Sequence, residues 1–161
     1  SFDPKREGPV DSLPRAPDDL RDWEAKGKVS FTYQGVTEAA RFHWARSTPQ
    51  SDVINLSGPF SMNRQTIERQ DDVLFRRDGK EVRPLSDLDP NSPAVTALTA
   101  IPPEALGRWL LGAEPDSSVW DVDVTEWRAA PPWHAPSRVT IRGTGIEIKV
   151  IISQWEFSPA Q

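Results

Sequence analysis

The 161-residue chain carries 19 basic and 24 acidic side chains, a net charge of −5, 37% hydrophobic residues and no cysteine. This length suits one domain with a sizeable core, and the acidic balance gives no general electrostatic reason to bind nucleic acid. Disulfides and thiolate chemistry are excluded, and the longest apolar run, Val150-Ile151-Ile152, is far too short for a membrane-spanning helix.

Residues 1–17, SFDPKREGPVDSLPRAP, hold four prolines, many charges and little apolar content. They read as a flexible Pro-rich leader or tether, with residues 18–161 forming a single domain. The chain begins at Ser1 without an initiator Met, which suggests a processed or trimmed form. A short helix is expected from Asp18 to Ala25, with Pro17 at a first-turn position and Leu20 and Trp23 on one face.

The period then changes to two. Val29, Phe31 and Tyr33 alternate with Lys28, Ser30 and Thr32; after Gln34-Gly35, Ala40, Phe42 and Trp44 alternate with Arg41 and His43. Ile54 and Leu56 alternate with Val53, Asn55 and Ser57, so each segment is a strand with one dry face. RQTIERQ, DVLFRRD and KEVRPL continue the meander, with Asp78-Gly79 as a hairpin signal. Arg64, Arg69, Arg76, Arg77, Lys80 and Arg83 cluster here, interleaved with Glu68, Asp71, Asp72, Asp78 and Glu81, and read as a solvated face of mixed charge.

Two helix starts follow, at Ser92-Pro93 and at Pro102-Pro103. In the second, Leu106, Trp109 and Leu110 form an i, i+3, i+4 stripe that Gly112 terminates. Strands then resume: Trp120, Val122 and Val124 alternate with Asp121 and Asp123, Val139 and Ile141 follow a Pro-rich bend, and Ile146, Ile148, Val150 and Ile152 share a face of a long last strand. The expected fold is mainly β with a helical insert: a curled antiparallel sheet of about six strands and then about three more, forming an incomplete, half-open barrel whose concave cavity short helices cover.

Chemistry is scarce. His43 and His134 lie far apart, with no Cys and no carboxylate at ligand spacing, so no metal site is expected. No nucleophile elbow or phosphate loop is present, and Asp121 and Asp123 fall on the wet side of their strand. No catalytic residues are assigned. The residues alone leave three containers open: a filled structural core, a cavity for a ligand, and an enzyme whose catalytic groups are scattered along the lumen.

One stretch breaks the usual rule for turns. LSGPFSMN at 56–63 puts Phe60 and Met62 beside the Gly58-Pro59 turn, where polar residues are normal.

The ordered landmarks resemble the LolB family of outer-membrane lipoprotein receptors. They are WEAKGKVSF at 23–31, RFHW at 41–44, INLSGPF at 54–60, DGKEVRPLSDL at 78–88, IPPEALGRWLLGAEPDS at 101–117 and QWEF at 154–157. The family's turn usually reads Pro-Leu-Gly where this chain has Pro59-Phe60-Ser61, and the segment after the second helix is short.

The resemblance implies a non-enzymatic receptor and transfer factor, without nucleotide, metal or other cofactor. Acyl chains of lipoproteins, delivered by the periplasmic carrier LolA, would enter a cavity walled by Phe31, Phe42, Trp44, Ile54, Leu56, Ile148 and Val150, with Leu106, Trp109 and Leu110 as helical cover. Pro59, Phe60 and Met62 would form the membrane and transfer loop. The domain, expected as a monomer, would sit at the periplasmic face of the outer membrane, on the inner leaflet. A lipidated N-terminal Cys, absent from this chain, would anchor it.

Overall fold

The structure, a computed structural model, describes residues 12–58 and 64–158. Nine antiparallel strands form one sheet: β1 (Trp23–Tyr33), β2 (Val36–Thr48), β3 (Ser51–Ser57), β4 (Arg64–Gln70), β5 (Val73–Asp78), β6 (Glu81–Pro84), β7 (Asp121–Ala130), β8 (Trp133–Gly143) and β9 (Ile146–Phe157). Their order is β6-β5-β4-β3-β2-β1-β9-β8-β7, so among the described residues β6 and β7 are the sheet's two edges and the barrel is incomplete.

The topology explains the cover. The first six strands meander outward from β1, and β9 pairs with β1 on its other side, so the sheet's centre joins the two ends of the domain. The chain therefore leaves β6 at one edge and must reach β7 at the opposite edge. Between them lie a 3-10 turn (Leu85–Asp87), α1 (Pro93–Ala100) and α2 (Pro103–Leu110), with α1 packed on β1, β2 and β9. A connection that crosses an apolar sheet face is best built from helices, which satisfy their own backbone.

Local chemistry sets the boundaries. Gln34 and Gly35 both take positive φ, 50° and 77°, as a tight primed hairpin turn requires. Ser92 caps α1 by accepting from the Val95 N–H at 3.2 Å, and Pro93 stands in its first turn. α2 ends where Gly112 adopts φ 93°. Against β9, the register of β1 shifts between Lys26 and Gly27, where Ser153 is the extra residue and its hydroxyl donates to the Lys26 carbonyl. Such bulges bend a sheet.

Two sequence expectations are corrected. Residues 18–25 form no helix: Trp23 begins β1, pairs with Arg46 and Phe157, and is fully buried against Trp44 and Trp155. The PPWHAPS segment is not merely a bend, because β8 starts at Trp133 and runs through Pro136. His134 there exchanges backbone hydrogen bonds with Pro14 and Ala16. The described end of the leader is thereby seated on the sheet, with Ala16 buried and Arg15 over the Trp127 ring, donating to the Gly112 carbonyl.

Candidate functional site

The alternating strands put one face of the sheet beneath the helices. β1 contributes Val29 and Phe31, β2 Phe42 and Trp44, β3 Ile54 and Leu56, β8 Ile141, and β9 Ile148 and Val150. Leu98 of α1 and Leu106 and Leu110 of α2 close over them, around a cavity of about 30 Å³ whose lining presents carbon alone. That volume is room for about one or two waters, so α1 and α2 lie close on the sheet.

Nine of the ten residues expected from the sequence as cavity walls or cover meet here: Phe31, Phe42, Trp44, Ile54, Leu56, Leu106, Leu110, Ile148 and Val150. Trp109 does not. One step along α2 from Leu110 turns it toward Trp120, with ring centroids 5.6 Å apart. Val29, Leu98 and Ile141 complete the lining. Pro59, Phe60 and Met62 lie outside the described residues.

One end of this apolar face carries charge. Arg46, Asp52 and Arg69 stand opposite one another across β2, β3 and β4. Arg46 donates to Asp52 through Nε at 2.7 Å and Nη2 at 3.0 Å, and Arg69 Nε donates to Asp52 Oδ2 at 2.7 Å. All three side chains are at most 3% exposed. Arg69 also donates to the Asp71 and Pro49 carbonyls, both at 2.6 Å. Arg69 is therefore not part of a solvated mixed face, as its neighbours in sequence suggested. A partner on the adjacent strand, 17 residues away in sequence, keeps it dry.

The cluster supports the cover. The Arg46 guanidinium lies 5.3 Å from the Trp23 ring centroid, and α2 passes directly over it at Gly107. At its other end, α1 is tied to β2: Glu38 accepts from the Ser92 hydroxyl at 2.6 Å and from the Ala94 N–H at 3.1 Å. α1 is thus attached to the sheet by polar contacts at its start and α2 by close packing on Arg46, and both add carbon over the cavity.

Beside α1 an open groove of about 660 Å³ borders this cavity and shares Phe31, Leu56 and Leu98 with it. Among the described residues no three His, Asp or Glu side chains are grouped to hold a metal, and no helix is long and apolar enough to cross a membrane.

Comparisons with known proteins agree with this architecture. The protein is 24% identical over 159 residues to the outer-membrane lipoprotein LolB of Halorhodospira halophila, covering 87% of this chain and 78% of that one. It is 25% identical over 158 residues to LolB of Yersinia pestis, covering 84% and 75%. Among solved structures, a LolA superfamily protein from Nitrosomonas europaea superposes with a TM-score of 0.56 at 8% identity, covering 92% of this chain and 93% of that one. A putative outer membrane lipoprotein-sorting protein domain from Vibrio parahaemolyticus gives 0.50 at 8% identity, covering 88% and 87%; identities this low speak for the fold alone. The family model described as outer membrane lipoprotein LolB matches residues 21–155, and the chain belongs to that family.

Proposed function

We propose that this domain is a non-enzymatic receptor for acylated lipoproteins. It takes them from a periplasmic LolA-type carrier and passes them into the inner leaflet of the outer membrane. The observation that supports this reading best is the carbon-only cavity held between the sheet and two short helices. Each methylene buried there contributes about 0.8 kcal/mol without any directional demand. A site of this kind accepts acyl chains and leaves the protein part of the cargo unread.

In the closed state the cavity is too small for a chain, so binding requires α1 and α2 to move off the sheet. Their carbon contacts over the cavity are then exchanged for contacts with the ligand. This exchange keeps the site dry in both states, and it makes loading and unloading reversible without nucleotide. An enzyme using the same lumen would need convergent polar groups, and among the described residues no titratable side chain lines the cavity.

The domain acts as a monomer, anchored through a lipidated N-terminal Cys absent from this sequence, and Phe60 contacts the membrane during release. Burying one Phe in hydrocarbon is worth about 2 kcal/mol, enough for a transient touch and too little for stable anchoring. The test is transfer from a LolA-type carrier loaded with a lipoprotein. This domain strips the cargo if the reading holds; no transfer at any concentration overturns it.

A further inference from the structure

Arg76 and Arg83 face each other directly in the β5–β6 pairing, at the end of the inner-face row that runs through Trp44, Ile54 and Ile67. Like charges opposite one another destabilise a sheet unless something between them compensates. Both arginines line the open groove, together with Phe31, Leu56, Ile67 and Leu98. Arg76 Nε is buried and has no hydrogen-bond partner among the described residues. A buried donor without an acceptor carries an uncompensated desolvation cost. Arg83 gives one contact, from Nη2 to the Asp87 carbonyl at 3.2 Å.

Carboxylates also line this groove: Glu38, Asp87 and Asp89. Glu38 is engaged by the start of α1, and Asp89 accepts from the Asn91 N–H at 2.9 Å. Neither arginine forms an ion pair with any of the three among the described residues. Among the described residues the groove thus combines two guanidinium groups that pair with none of its carboxylates, an orphaned donor and apolar residues that it shares with the cavity.

We propose that the groove holds an acyl amphiphile with an anionic head, either a fatty carboxylate or a phospholipid phosphate. The head sits between Arg76 and Arg83, where planar guanidinium forks match acidic oxygens and Nε gains its acceptor. The chain runs over Phe31, Leu56 and Leu98 toward the cavity. The inference rests on the acyl-cavity reading above and adds a charged head to the ligands of that site.

The experiment compares cis-parinaric acid with its methyl ester, titrated into the full chain after delipidation and read by energy transfer from tryptophan. The acid is expected to bind at least about tenfold more tightly than the ester, the scale of one charge-assisted hydrogen bond. The preference falls to near parity in Arg76→Gln. Should that variant fail to fold by circular dichroism, Arg83→Gln on the exposed edge strand lowers the preference instead.

Competition by oleate and by lysophosphatidylglycerol against lysophosphatidylcholine assigns the head. Stronger displacement by oleate than by lysophosphatidylglycerol identifies the carboxylate; the reverse order, with zwitterionic lysophosphatidylcholine weaker than lysophosphatidylglycerol, identifies the phosphate of an anionic phospholipid. Equal binding of acid and ester, or a preference that survives both substitutions, overturns this inference and leaves the acyl cavity standing. Binding of neither probe overturns both.

Discussion

Gly107, in the middle of α2, lies on the guanidinium of Arg46: a β-carbon at position 107 would fall 2.3 Å from Arg46 Nη2. The guanidinium cannot easily give way, because two hydrogen bonds to Asp52 and the Trp23 ring hold it. Gly107→Ala should therefore destabilise the domain by about 1–3 kcal/mol, the cost of overpacking, despite alanine's higher helix propensity. Urea unfolding followed by tryptophan fluorescence measures it. A gain in stability would mean that α2 does not rest on Arg46.

The charged row beneath α2 makes an asymmetric prediction. Asp52→Asn leaves two buried guanidinium groups without their counter-charge and should cost about 3–5 kcal/mol. Replacing Arg46, Asp52 and Arg69 together by Met, Leu and Met should cost far less, because the burial of charge disappears with the charges. The two variants are compared by their urea midpoints. Equal losses would show that the row is not held by charge pairing.

Glu38 ties α1 to β2 through the Ser92 hydroxyl and the Ala94 N–H. Glu38→Ala should weaken the closed state by about 0.5–1.5 kcal/mol. Uptake of cis-parinaric methyl ester in stopped flow should then be faster by up to about tenfold. An unchanged rate would mean that α1 does not gate the cavity.

The proposed membrane contact of Phe60 is tested by Phe60→Glu. Folding, judged by circular dichroism and thermal melting, is expected to match the parent, while release of bound lipoprotein into liposomes is lost. Normal release would remove Phe60 from the mechanism.

Much of this site was legible because strands alternate. Phe31, Phe42, Trp44, Ile54, Leu56, Ile148 and Val150 fall on the dry side of their strands, and the sheet has one covered face to receive them. Trp109, expected in the cover, lies off the cavity lining because an i, i+3, i+4 stripe is wider than the cavity beneath it. Only Leu106 and Leu110, four residues apart, point straight down, while Trp109 finds Trp120. Trp23 was read as helical from local signals, yet its burial between Trp44 and Trp155 decides for a strand. Arg69 was the least legible. Its sequence neighbours are charged and wet, and nothing nearby in sequence announces Asp52 as a partner 17 residues back.

The central claim is that acyl chains occupy the space between the sheet and α1 and α2. The most direct measurement is photo-crosslinking with a lipopeptide whose acyl chain carries a diazirine, followed by peptide mapping of the labelled sites. The account predicts labels on Phe31, Phe42, Leu56, Leu98 and Leu110, competed away by unlabelled lipopeptide. Labels confined to outward-facing residues such as Ile151 and Val53, with the cavity lining untouched, would contradict it.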